Sequence, residues 1–203
     1  MTNLSKSASP ASRPWALTLP DLAQAAVFAA LIAVLGLPGQ INLASGVPIT
    51  LQSMGVMLAG AVLGPKKGTL AVAIFMILAI AGLPILSGGR TGLVSLNSPT
   101  GGYFIGFLPA ALLIGLVTAW MMPRYNIVIG IVANFLAGAI VVYIFGIAYQ
   151  MLRTDFDLAH LIGLNTPYLI GDAIKATVAA LIAAPVHRGR PGLVAPLRRT
   201  KNV

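Results

Sequence analysis

Residues 22–65 read LAQAAVFAALIAVLGLPGQINLASGVPITLQSMGVMLAGAVLGP, 44 positions without one charged side chain. In a soluble domain about a quarter of the residues are Asp, Glu, Lys or Arg, so a gap of this length does not occur on a water-facing surface. The stretch is about twice the 20 or so apolar residues that a helix needs to cross a bilayer. It also carries its own punctuation, Pro38-Gly39 and Gly46-Val47-Pro48. It therefore reads as two spans joined by a structured 38–48 loop.

The pattern continues outward. Residues 68–89, 91–123 and 125–152 are uncharged runs of 22, 33 and 28 positions. Ser87-Gly88-Gly89 ends the first of these. Six helical spans follow, at roughly 21–37, 49–64, 68–84, 101–122, 126–152 and 167–187. The fold class expected is an all-α integral membrane protein with one membrane domain, 21–187. A flexible cytoplasmic N-terminal tail, 1–20, precedes it and a basic, flexible C-terminal tail, 188–203, follows. The second span would reach only about 24 Å, so a re-entrant 49–64 with five true spans is the alternative. The first span is not a cleavable signal peptide, since more membrane follows it.

Composition agrees. The 203 residues are 58% hydrophobic and 8% charged, with mean hydropathy +0.92. With 13 basic and 4 acidic residues, too few charges exist to cover a soluble surface. The formal charge of +9 resembles a nucleic-acid signal until it is placed on the spans. Six spans put Lys6, Arg13, Lys66, Lys67, Arg124, Arg188, Arg190, Arg198, Arg199 and Lys201 on one side, which is 10 of the 13 bases. Arg90 and Arg153 are left opposite, beside Asp155 and Asp157. Positive charge marks the cytoplasmic side, so a multi-pass protein of the bacterial inner membrane is expected, with both termini in the cytoplasm. The charge is mostly a topology signal, with some attraction to anionic membrane lipid and no nucleic-acid partner.

Catalytic chemistry finds no support. No Cys occurs, and HExxH, Walker A and GxSxG motifs are missing. His160 and His187 stand alone and form no metal site. The chain reads as a non-enzyme without cofactor or metal, and any ATP-driven step would need separate subunits.

Three polar clusters remain. Asp172 and Lys175 lie inside the last span, where ionisable residues are costly and usually functional. Their spacing of three puts them on one helix face. The pair serves either to bind a small polar ligand or only to pack helices. The 3–4 connection, Ser87 to Tyr103, holds five glycines with Asn97, Ser98, Thr100 and Tyr103. It reads as a ligand-facing segment whose helix start offers N–H groups, or as a surface loop. Thr50 and Gln52 begin the second span as neutral donor/acceptors, with helix capping by Thr50 as the alternative. All three clusters fall on the outer side and together could line one outward pocket. In the first span, Ala25, Ala29 and Ala33 form a small-residue stripe with Ala26 and Ala30 beside it. Such a stripe suits either intramolecular packing or a subunit contact. Asn134 reads as a helix–helix hydrogen bond.

Five segments carry a resemblance: Val47-Pro48-Ile49-Thr50-Leu51-Gln52; Leu58 through Gly68 (LAGAVLGPKKG); Ala81-Gly82-Leu83-Pro84 with Ser87-Gly88-Gly89; Ser98-Pro99-Thr100-Gly101-Gly102-Tyr103; and Gly171-Asp172-Ala173-Ile174-Lys175. In order and spacing they resemble the BioY family, the biotin-binding S components of energy-coupling-factor (ECF) vitamin transporters. The likeness covers 22–187. It implies a six-helix bundle binding biotin at the outer face, a transmembrane coupling subunit and a pair of ATPases as partners, and a docking role for Ala25, Ala29 and Ala33. Some members are proposed to work without the ATPases. Substrate contacts implied are Asp172 and Lys175, with the family's polar residue before Pro-Thr falling at Ser98 and Asn97 one place earlier. Tyr103, Thr100, Thr50 and Gln52 complete the expected site. Self-association is left open. An S component for thiamine or riboflavin is an alternative, as is a non-transporting membrane interaction protein.

Overall fold

Gly64-Pro65 turns the chain back on itself. In a straight helix positions 59 and 68 would be about 13.5 Å apart. In the computed structural model a Cβ on Gly68 would instead lie 2.4 Å from the Ala59 carbonyl oxygen. The model describes residues 17–37, 41–42 and 48–197, with backbone alone for 41–42 and 48–49.

Helix α2, Gln52–Ile80, is therefore a hairpin of two limbs, 52–63 and 65–80. Gly64 takes φ +75 and ψ −171, a conformation that an L side chain rarely adopts. Pro65 then starts the second limb, where its missing N–H costs nothing. The first limb is about 18 Å long, and the extended backbone of 48–50 lengthens it. The re-entrant alternative thus resolves into a short antiparallel limb.

The other elements are α1 (Leu19–Val34), β1 (Ile41–Asn42), β2 (Pro48–Ile49), α3 (Gly92–Leu96), α4 (Gly101–Met121), α5 (Ile127–Phe135), a π-helical turn (Leu136–Val141), α6 (Val142–Met151), α7 (Leu158–Asn165) and α8 (Tyr168–Gly189). Counting the α2 limbs separately and α5–α6 as one gives six spanning limbs. The two strands pair antiparallel, Ile41 with Ile49 and Asn42 with Pro48. This pairing delays the start of α2 to Gln52. The 1–16 part of the expected N-terminal tail and most of the 38–48 loop lie outside the described residues.

Several boundaries differ from expectation for local reasons. The third span stops at Ile80, before Gly82 at φ +106. The two short helices α3 and α7 have side-chain caps. Thr91 accepts from Val94 N at 3.3 Å, and Asp157 accepts from His160 N at 2.8 Å. The fifth span is α-helical except for its π turn, where Gly138 presses on the Met57 side chain. Asn134 does bridge helices, donating from Nδ2 to the Ala176 carbonyl at 3.2 Å.

Packing follows the membrane rule of small residues inside and large apolar ones outside. On α8, Ala176, Ala179, Ala180, Ala183 and Ala184 are buried, while Ile170, Ile174 and Leu181 are exposed. On α4, a Cβ at Gly115 would meet Pro65 N at 2.5 Å, so α4 crosses directly over the hairpin bend. The exposed apolar faces, with Val27, Ile77, Val128 and Ile144 among them, suit lipid rather than water. The molecule is a multi-pass membrane protein.

The bend end of the bundle is tied by Lys67. Its Nζ donates to Gln24 Oε1 at 2.9 Å and to the Leu193 carbonyl at 3.0 Å, and it pairs with Asp21 Oδ1 at 3.5 Å. Residues 190–197, part of the segment read as the C-terminal tail, fold back here. Val194 is buried against Gly64, and Leu197 N donates to the Ala119 carbonyl at 3.0 Å.

Candidate functional site

The opposite end holds the polar clusters. Glycines make it compact. A Cβ on Gly102 would lie 2.2 Å from the Phe145 carbonyl oxygen, so α4 and α6 touch backbone to backbone there. Gly101 and Gly106 continue that seam against Tyr149 and Val142. The Thr100-Gly101-Gly102 start of α4 is thus first a packing device.

Between α2, the 3–4 connection and α4 lies an open cleft. Thr50, Gln52, Leu86, Ser87, Arg90, Ser95, Thr100, Tyr103, Phe104 and Phe107 line it. Gln52 is 3% exposed and braces the wall. It donates from Nε2 to the Ile85 carbonyl at 2.9 Å and accepts at Oε1 from Ser87 N at 3.0 Å. Thr50 Oγ1 accepts from Gln52 N at 3.2 Å, closing a turn just before α2, whose N-cap is Leu51 and has no side-chain cap. Thr50 nonetheless faces the cleft as well.

Arg90 brings the cleft its positive charge. Its Nε donates to the Ser87 carbonyl at 3.2 Å and its Nη1 to Thr100 Oγ1 at 3.3 Å. Partial burial pulls the guanidinium below its usual range. No carboxylate among the described residues pairs with it. Sequence reading treated Arg90 only as a topology marker. Its place inside a five-glycine connection was the signal that it faces inward.

Tyr103 forms the back wall. It is buried, and its hydroxyl lies 2.7 Å from Gln150 Oε1 and 2.8 Å from Asn165 Oδ1. One phenolic proton cannot serve both oxygens, so one of the two amides presents its NH₂ to the phenol oxygen. Neutral polar residues near the ends of apolar runs, such as Gln150 and Asn165, are weak sequence signals. Their role appears only once α6 and α7 meet α4.

Behind Tyr103 sits the ion pair. Asp172 and Lys175 are 6% and 9% exposed, with Lys175 Nζ 3.0 Å from Asp172 Oδ1. Lys175 Nζ also donates to Ser53 Oγ at 3.1 Å. Tyr143, on α6, donates its hydroxyl to Asp172 Oδ2. The Tyr143 ring meets the Tyr103 ring edge-on, centroids 6.4 Å apart. The pair is thus separated from the cleft by one aromatic layer rather than lining it.

Two expected contacts move. Asn97 is exposed and donates back to the Leu93 carbonyl at 3.0 Å, closing its own short helix and pointing away from the cleft. Ser98 is half-buried and supports the site indirectly. Its Oγ donates to the Ser95 carbonyl at 2.8 Å and lies 2.7 Å from Thr100 Oγ1. The α1 stripe is also corrected. Ala25 and Ala29 are buried in the core, because Ile32 on the same face packs on Gly55 of α2. Ala33 is half-buried, and Ala23, Ala26 and Ala30 are the small residues exposed.

Comparison with known proteins bears on this arrangement. The chain is 40% identical over 181 residues to a protein of Rhizobium etli named biotin transporter BioY, covering 86% of this chain and 97% of the relative. It is 39% identical over 174 residues to the biotin transporter BioY of Rhodobacter capsulatus, covering 81% and 92%. Its fold matches a crystal structure of the S component for biotin from an ECF-type ABC transporter, with TM-score 0.81 and 34% identity over 88% of this chain and 97% of that one. The BioY family model matches residues 6–192. A match of that extent takes in every helix described above, and the chain belongs to the BioY family.

Proposed function

We propose that this chain captures biotin at the outer face of the cytoplasmic membrane and passes it inward as the S component of an ECF transporter. ATP hydrolysis then resides on separate subunits. The observation that carries the reading is the buried Asp172–Lys175 pair set one aromatic layer behind a cleft that holds an uncompensated Arg90.

Biotin offers a cyclic urea with two N–H donors and one strong acceptor, a thioether bicycle and a carboxylate. Asp172 accepts from urea N–H, and Lys175 donates to the urea oxygen. Tyr103, Phe104 and Phe107 supply apolar surface for the bicycle. Arg90 takes the carboxylate, which needs a planar, permanently charged donor. Thr50, Gln52 and Thr100 offer neutral polar contacts, and Ser98 steadies Thr100.

With the site at the outer face, the bend end with Lys66, Lys67, Arg124 and Arg188 is cytoplasmic, and so are both termini. A coupling subunit would meet α1 on its Ala23, Ala26 and Ala30 side, since Ala25 and Ala29 are occupied within the bundle.

Titration of the purified chain with biotin, thiamine and riboflavin tests the reading. Saturable binding of biotin that neither other vitamin displaces is expected. Binding of thiamine or riboflavin in its place would overturn it.

A further inference from the structure

The Asp172 carboxylate has both oxygens taken within the protein, Oδ1 by Lys175 and Oδ2 by Tyr143. At 6% exposure, little open space surrounds it. Each carboxylate oxygen can accept more than one bond, so it is room that is short at this residue, and a ligand N–H gains it by replacing one of the two donors. Lys175 is the wrong one to lose, because its departure leaves two buried charges uncompensated. Tyr143 is neutral, and an N–H replaces its O–H one for one. Tyr143 also stands where such an exchange would start. Its ring touches the Tyr103 ring, and Tyr103 lines the cleft.

We propose that Tyr143 is a positioning residue that competes with the ligand: its hydroxyl holds the Asp172 oxygen that a ligand N–H takes over. This rests on the biotin reading of the site. Tyr143 keeps the carboxylate aimed toward the Tyr103 layer, then yields its place as biotin enters. The consequence is unusual for a residue in a binding site. Removing the hydroxyl relieves a bond that binding would otherwise break, so affinity rises. A residue that contacts biotin directly, or one that only packs, has the opposite effect or none.

The test compares biotin affinity and association rate for the parent and Tyr143→Phe in detergent or nanodiscs. Tyr143→Phe is expected to bind roughly fivefold to tenfold tighter, the scale of one hydrogen bond to a charged group. A second chain carries 3-fluorotyrosine at 143, a more acidic phenol and a stronger donor to Asp172 with nearly unchanged shape. It is expected to bind more weakly than the parent. Opposite signs in the two chains support the exchange. Weaker binding by Tyr143→Phe, or equal binding by all three chains, overturns it while leaving the biotin reading intact. If the parent takes up no biotin, the reading fails and this inference fails with it. If the Phe variant does not fold, the fluorinated chain decides alone.

Discussion

Gly146 of α6 lies against the ring of Tyr103 of α4 so closely that a Cβ on the glycine would sit 2.3 Å from a ring carbon. The contact seats the cleft's back wall. It also places the Tyr103 hydroxyl beside Gln150, one turn further along α6. A helix–helix contact and a binding surface are here the same atoms.

Gly146→Ala should push the Tyr103 ring toward the cleft. A loss of about 1–3 kcal/mol in stability is expected from overpacking, together with biotin binding weakened about tenfold or more. Gly163→Ala is the control, since nothing lies within 4 Å of its added Cβ. Thermal unfolding and biotin titration of both variants check this. Equal behaviour of the two would show that the seam is not tight.

The ion pair should reveal itself through non-additivity. Lys175→Met leaves Asp172 buried without its cation and should cost about 3–5 kcal/mol. Asp172→Leu combined with Lys175→Met removes both charges and should recover most of that stability, yet bind no biotin. Asp172→Asn leaves Lys175 buried without its anion, so it should lose stability on a similar scale as well as most binding. A double variant less stable than either single one would contradict this account.

Arg90 should discriminate the acid end of the ligand. The parent is expected to bind biotin well above biotinamide. Arg90→Gln should weaken biotin by about 2 kcal/mol or more while changing biotinamide little. Competition of the two ligands on both chains measures the difference. An unchanged preference in Arg90→Gln would remove Arg90 from the site.

The bend end should matter for stability without touching the ligand. Lys67→Met removes three contacts at a mostly buried ammonium and should cost about 1–2 kcal/mol. Val194→Asp should release residues 190–197 from Gly64 and speed cleavage within that segment by a broad-specificity protease. Biotin affinity in detergent should stay within about twofold for both. Loss of binding in either would tie the two ends of the bundle together.

Much of the fold was legible in the chain because a bilayer imposes a strong rule on sequence. Six limbs follow from uncharged runs and breakers, although the tight bend at Gly64-Pro65 was not singled out. Asp172 and Lys175 were visible for the same reason, since a charge inside an apolar run is costly enough to need a purpose. Asn97 misled because polarity in a loop does not tell which way a side chain points, and its carbonyl partner Leu93 satisfies it locally. Ala25 and Ala29 misled because small residues allow close approach without naming the neighbour.

What the sequence by itself determined is the membrane class, the span count and the buried ion pair, all of which follow from the cost of charge and turn residues in hydrocarbon. Only the tertiary structure decided that Arg90 faces the cleft, that Tyr143 rather than a loop residue holds Asp172, and that the glycines of α4 pack on α6. The last two are contacts between positions 29 to 48 apart, such as Tyr143 with Asp172 and Gly101 with Tyr149. No local pattern encodes them, because they depend on how the helices lean together.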